Sequence, residues 1–425
     1  MIPLQDARAF VLGACSPGTP RPIPIDEALG CVVAAPVVAT EPVPPFVNSS
    51  RDGYALRAAD TLAADGTERP VRLGVVALIM AGSNFEGVIG TGQAARIMTG
   101  APMPAGADAV CMLEDCRVEN DGELVVIDHP VPEGEAVRGV GEDVAAGDLI
   151  ADPGTVLTPA HLGVLANQGI ADVVVHPRPR VGILSTGDEL ASSLGPLAPG
   201  QIRDANRHTL LALVHREGWV PVDLGMVGDD EDALGGVLDR ASASCDAVVT
   251  SGGVSVGDHD IVKVVLEKRS GGTMRWMQVA IRPAKPFAFG TLDGTGTPVF
   301  GLPGNPVSAM VSFELFVRPA VRLIGGHRAL ERVVVPAVAE SDLRRSPDGK
   351  THFVRAVVSL DEVGGWRVRP LIGQDSHQLR AMADANALAV LPDGEGVDAG
   401  GQVEVLLTDP ERLGADPVGS GTRRW

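Results

Sequence analysis

From Val181 to Gly325 short apolar runs alternate with amphipathic stretches, and that alternation limits the possible folds more than any other feature of the chain. Val181-Gly-Ile-Leu-Ser, Val220 to Val227, Ala247 to Thr250 and Pro298-Val-Phe-Gly read as strands. The spacing predicts helices near Arg207 to Glu217, Glu231 to Ala243 and Ile261 to Lys268, and a long apolar helix from Val307 to Ile324. Such an alternation implies a mostly parallel sheet with helices on both faces. In sheets of this kind ligands sit beyond the carboxyl ends of the strands. The glycine- and aspartate-rich breaks of this chain follow strands, where that rule places a site.

The first such break reads Ser251-Gly252-Gly253-Val254-Ser255-Val256-Gly257-Asp258-His259-Asp260, and the second reads Gly301-Leu302-Pro303-Gly304-Asn305-Pro306-Val307-Ser308. Glycine lets consecutive backbone N–H groups meet an anion, and helix starts add positive dipole. Between the breaks lies Arg282-Pro283-Ala284-Lys285-Pro286, where rigid backbone aims two cations from one loop. Asp229, Asp258 and Asp260 supply hard oxygen donors at the same edge. Together these describe a site for a phosphorylated ligand with a divalent cation. Each part has a plainer reading: Asp229 or Asp230 caps a helix, Pro306 starts one, and the basic pair is a solvated surface feature.

The rest of the chain is organised around that unit. Residues up to Val38 read as a helix from Leu4 to Cys15, then a short helix and a strand, closed by the stiff Thr40-Glu-Pro-Val-Pro-Pro linker. Residues 41–139 turn to short β segments, and 140–175 return to helical and extended runs. The expected division is a discontinuous N-terminal domain (1–40 and 140–175), an inserted β-rich domain (41–139), an α/β domain (176–326), a C-terminal β barrel or sandwich (327–410) and a flexible tail (411–425). A net charge of −19 excludes nucleic acid and anionic membrane as main partners, although a local basic pocket can still hold a small anion. The five cysteines form neither a C-x-x-C pair nor a zinc spacing and fit a reducing cytosol. With no signal peptide and no apolar run near the ~20 residues of a membrane span, the expected location is cytoplasmic.

Seven short strings in order then carry a family resemblance. They are Asn48 to Ala55, Arg96 to Pro102, Gly141-Glu142-Asp143, Ser185 to Leu190, Asp204 to Arg207, Ser251 to Asp260 and Gly301 to Ser308. Over nearly its whole length the chain resembles the molybdopterin molybdenumtransferases, the MoeA and gephyrin E-domain family. The resemblance implies a transferase that inserts molybdenum from molybdate into adenylylated molybdopterin and releases AMP. It implies Asp52, Thr99, Asp143, Glu189 and Lys285 as catalytic residues and Mg²⁺ held by Asp229 and Asp260. It also implies substrate contacts from Ser251, Gly252, Gly253, Ser255, Gly257, Arg282, Pro303, Gly304, Asn305, Pro306, Ser308, Arg355 and Ser376. Asp188 reads as a turn or capping residue, and Asp52 and Thr99 would by themselves be turn residues.

Two further implications are a homodimer, in which Asp52 and Thr99 face the partner's cleft, and transient contact with other molybdenum cofactor biosynthesis proteins. The chain departs from the commoner family pattern Lys-Pro-Gly-Lys-Pro at Arg282 and Ala284, and Gln278 stands where a further lysine is usual. Competing readings are a paralogous molybdopterin-binding or nucleotide-processing enzyme on the same α/β domain, and a non-catalytic scaffold. The inserted β module argues against the first, and retention of Asp229, Asp260 and Lys285 argues against the second.

Overall fold

The computed structural model describes residues 1–83, 85–191, 195–253 and 261–413. Its central sheet has the strand order Val220–Val227, Arg180–Thr186, Ala247–Ser251, Pro298–Leu302, Pro286–Thr291, Arg275–Gln278. The first four strands are parallel. The last two pairings are antiparallel, so Pro286–Thr291 alone runs against the rest; these two strands were not legible in the sequence, because Pro283 and Pro286 punctuate what would otherwise read as one strand signal. Alternate residues face opposite ways: Val249, Phe287, Phe289 and Phe300 enter one core, while Val248, Ala288 and Val299 enter another. Helices Ala205–Arg216 and Pro306–Ser312 cover the first face, and helices Glu231–Ser244 and Ile261–Arg269 cover the second.

Two of the helices that follow strands start at a capping aspartate. Asp204 Oδ1 accepts the Arg207 backbone N–H at 3.0 Å, and Asp230 Oδ1 accepts that of Ala233 at 2.8 Å, contacts that contribute about 1 kcal/mol each. The long apolar helix has an internal irregularity: a π turn over Phe313–Val317 separates Pro306–Ser312 from Arg318–Ile324. That turn carries Glu314, which is buried and bonded to Arg332 Nε at 2.8 Å and Arg216 Nη2 at 3.2 Å. Glu217 completes the cluster, accepting from Arg318 Nε at 2.8 Å and Arg332 Nη2 at 2.5 Å.

Residues on either side of the inserted β module share sheets. Asp172–His176 lies between Arg21–Pro24 and Val32–Val33, and Leu149–Ala151 pairs with Val37–Val38. The inserted module is a six-stranded sheet in which Gly53–Leu56 lies between Ala109–Met112 and Gln93–Ile97. The C-terminal region is a barrel: Thr351–Leu360, Trp366–Pro370, Val334–Ala339, Gln402–Leu407 and Ala387–Leu391 close into a ring. A sixth strand, Ile281–Arg282, is donated by the α/β region and pairs in parallel with Thr351 and His352. Among the described residues no helix is long and apolar enough to cross a membrane. All five cysteines are free thiols.

The buried charge cluster predicts a specific stability loss. Arg318 is 6% exposed, so Glu217→Ala leaves a guanidinium buried and half-paired. Guanidinium unfolding should show a loss of about 3 kcal/mol, and the paired replacement Glu217→Met with Arg318→Met should recover most of it. An unaltered midpoint in Glu217→Ala would show that the cluster contributes nothing.

Candidate functional site

At the carboxyl end of the central sheet two glycine positions bring loops into close approach. Gly252 has φ +101°, and a Cβ there would stand 2.6 Å from the Thr186 carbonyl oxygen. Gly253 has φ +71°, and a Cβ there would meet Val262 at 2.4 Å. Only glycine fits both. Asn206, at the start of helix Ala205–Arg216, joins this loop to the next: its Nδ2 donates to Ser251 Oγ and to the Gly304 carbonyl, both at 2.7 Å. Buried Asp204 supports it, accepting from Ser185 Oγ at 2.9 Å and from Arg207 Nε at 3.1 Å.

The main cleft, of about 500 Å³, opens where this sheet edge meets the barrel. Arg282, Pro283, Ala284, Lys285 and Pro286 form one wall, and Asn305 and Ser308 form a second. Lys350, Gln374, Asp375, Ser376 and His377 come from the barrel. Arg282 and Lys285 are exposed to the cleft, and Ser308 is buried at its base. Ala284 has φ +75°, a left-handed conformation that costs an L residue about 1 kcal/mol; glycine, usual in the resembled pattern, would escape this cost. The Val307 N–H donates to the Ser376 carbonyl at 3.1 Å, which fixes the barrel loop against the helix start.

Arg355 stands behind that loop. It is fully buried, and its Nη2 donates to the carbonyls of Gly373 at 2.7 Å and Asp375 at 3.2 Å. Its Nε and Nη1 have no hydrogen-bond partner among the described residues, and burial pulls the guanidinium down to about 10. Gln374 clasps the Arg355 backbone in both directions, accepting from its N–H and donating to its carbonyl, each at 3.0 Å.

The remaining expected site residues are not among those that line the main cleft. Asp52 Oδ1 accepts the Thr99 backbone N–H at 2.6 Å and the Thr99 hydroxyl at 2.7 Å. Those two bonds hold the Asp52 carboxyl below its ordinary value. The pair is exposed on the inserted sheet and does not line the main cleft. Asp143 lines a separate cleft of about 420 Å³ with Asn48, Arg138 and Glu142. Glu189 and Asp229 sit in exposed loops after adjacent strands, and Asp188 Oδ1 accepts the Asp229 N–H at 3.0 Å. Pro303 is buried, Gly304 is exposed, and Pro306 opens the helix Pro306–Ser312. Ser255, Gly257 and Asp260, with Asp258, lie outside the described residues.

Three sequence-family profiles match the chain in order. The MoeA N-terminal region (domains I and II) matches residues 2–169, a probable molybdopterin-binding domain matches 182–323, and the MoeA C-terminal region (domain IV) matches 337–408. Molybdopterin molybdenumtransferase 2 of Mycobacterium tuberculosis is 40% identical over 94% of this chain and 97% of its own length. The Haemophilus influenzae molybdopterin molybdenumtransferase is 36% identical over 95% and 98%. The chain belongs to the MoeA family of molybdopterin molybdenumtransferases. Membership in this family makes it a transferase. A crystal structure of the moeA molybdopterin biosynthesis protein of Pyrococcus horikoshii OT3 superposes with a TM-score of 0.77 at 30% identity, covering 96% of this chain and 100% of that one.

Asn206, Lys350, Gln374 and Arg138 were absent from the site residues expected from sequence. Asn206 lay inside one of the seven strings, but its bridging role depends on two loops that are distant in sequence. Lys350 carries no linear signal, being 65 positions beyond Lys285. The Asn206 bridge yields a test. Asn206→Ala removes two hydrogen bonds and should lower unfolding free energy by about 1 kcal/mol. Asn206→Asp sets a carboxylate against the Gly304 carbonyl and should cost more than alanine. Denaturant titration giving the reverse order would exclude the bridge.

Proposed function

We propose that this MoeA-family chain inserts molybdenum from molybdate into adenylylated molybdopterin and releases AMP. The observation that carries this reading is the cationic cleft at the seam of sheet and barrel. Arg282, Lys285, Ser308 and Ser376 line it together, two cations with two hydroxyl-bearing residues. A tetrahedral dianion suits such a set of donors, because charge-assisted hydrogen bonds are the strong ones. The glycine loop at Ser251 to Gly253 and the turn at Pro303 to Pro306 lie at the neighbouring strand ends, where backbone N–H groups are available to phosphate and the pterin edge.

In this reading the two dithiol sulfurs replace one oxygen of molybdate, which leaves as water with the thiol protons, and water cleaves the phosphoanhydride to give the pterin phosphate and AMP. Arg282 and Lys285 neutralise charge developing on the departing phosphate. Ser308 and Ser376 orient the oxyanion, and Asp52, Thr99, Asp143 and Glu189 are the polar groups assigned to the reacting pterin end. The exposed carboxylate of Asp229, with Asp260, has the hard-oxygen chemistry Mg²⁺ prefers, and Mg²⁺ bound there would supply positive charge to phosphate oxygens. The separation of Asp52 and Thr99 from the main cleft supports a homodimer, in which one subunit's inserted module completes the other's site. Location in the cytoplasm and contact with other cofactor-biosynthesis proteins belong to the same reading.

AMP release is the direct test. Adding molybdate and Mg²⁺ to the protein with adenylylated molybdopterin should release AMP, and Arg282→Ala should slow release by about ten-fold or more. No AMP above a protein-free control would end this reading. The shared site is tested by mixing. Asp52→Ala and Lys285→Ala chains should each be inactive alone and together recover up to about one working site per heterodimer. A monomer in sedimentation, or no recovery on mixing, would place the whole site within one chain.

A further inference from the structure

A second cleft, of about 410 Å³, lies at the opposite end of the central sheet from the glycine loops. Pro177, Arg178 and Pro179 lead into the strand Arg180–Thr186, and Trp219 immediately precedes Val220–Val227, so this cleft sits at the amino ends of the parallel strands. Leu29 and Cys31 of the N-terminal region close one side, and Arg322 and His327 from the end of the long helix close another. Its base is tightly built. Gly326 has φ +78°, and a Cβ there would stand 2.3 Å from His176 Cδ2, so only glycine lets the helix end meet the connecting segment.

Charge in this cleft is unbalanced. In the neighbouring buried cluster Arg318 and Arg332 are matched by Glu217 and Glu314. Arg322 stands outside that balance: its Nε donates to the Ala329 carbonyl at 2.7 Å and its Nη2 to His327 Nδ1 at 3.3 Å. Arg178 Nη2 donates to the Leu29 carbonyl at 2.6 Å. Among the described residues neither arginine has a carboxylate partner. Burial and the Arg322 and Arg318 guanidiniums pull the His327 imidazole down to about 4, so the ring is neutral at pH 7. Because arginine can only donate to Nδ1, the ring proton is on Nε2, a further donor.

The charged lining side chains are Arg178, Arg322 and Glu217, a sum of +1, and Glu217 is already taken by Arg318 and Arg332. Leu29 and Val156 add exposed apolar surface. Small-molecule sites combine this range of volume with apolar walls and a few convergent polar groups. We propose that this cleft binds a small organic monocarboxylate, its carboxylate held by Arg178 and Arg322 and its apolar body packed against Leu29, Val156 and Pro177. A guanidinium fork matches a carboxylate bidentately, and one negative charge cancels the excess.

Calorimetric titration of the full chain with sodium benzoate tests the site. Benzoate should bind saturably at one site per chain, and benzamide, its uncharged analogue, about ten-fold more weakly or not at all. Arg178→Gln should weaken benzoate by about ten-fold or more, while Arg178→Lys, which keeps the charge, should stay within about three-fold of the parent. Arg282→Ala, in the main cleft, should leave benzoate affinity at the parent value. No saturable heat with benzoate overturns the inference, as does benzamide binding equal to that of benzoate. Equal losses in Arg178→Gln and Arg178→Lys would make Arg178 a folding residue and overturn it too. Tighter binding of phenyl phosphate than of benzoate would overturn the carboxylate assignment, and a loss confined to Arg282→Ala would move benzoate to the main cleft and end the proposal.

Discussion

The short parallel pairing of Ile281–Arg282 with Thr351–His352 is the constraint on which the site depends. The chain leaves the central sheet at Gln278, contributes two residues to the barrel, and returns to the sheet at Pro286. The turn between those duties is Pro283-Ala284-Lys285, so both cations of the clamp are held at a seam between two cores. Backbone pairing alone over two residues would be weak. Phe287 stacks on Phe316 at 4.1 Å behind the clamp, and the Glu217–Arg318–Arg332–Glu314 cluster ties the helix end to the segment entering the barrel. These contacts convert a short strand pair into a rigid seam.

Charge acts locally here. A chain of net charge −19 would repel an anion at long range, but the relevant separation inside the cleft is a few ångström. Exposed charges beyond a Debye length of about 8 Å are largely screened at physiological salt. Three cations and one carboxylate around about 500 Å³ therefore set the field that a ligand meets. The ordering of those cations matters as much as their number. Lys350 is held by Asp348 and Arg345, so it does not sweep the rotamer space of a free surface lysine.

The polar framework at the strand ends follows a different logic. Asp204 caps one helix and Asn206 lies in its first turn, yet they act on three other elements: Ser185 on one strand, Ser251 on the next, and Gly304 before the helix that follows. Helix geometry at the capped end brings both side chains to the same edge of the sheet. Removing a donor there leaves acceptors facing acceptors, and substitution by aspartate is for that reason the harsher change.

By itself the sequence determined the parallel α/β unit, because strand and helix periods of apolar residues are local properties of the chain. The boundaries of Val220–Val227 and Glu231–Ser244 were legible almost to the residue for that reason. A cap at Asp229 or Asp230, and the glycine breaks after strands, were equally local, and the structure makes Asp230 the cap. Only the tertiary structure decided that the clamp bridges two sheets and that the C-terminal strands close into a barrel. It alone placed Lys350 beside Arg282 and Arg355 inside the protein behind the Gly373–Asp375 carbonyls. Each of those facts depends on which distant backbone groups pair. Pairing register is an energy shared between remote segments, so no single window of sequence contains it.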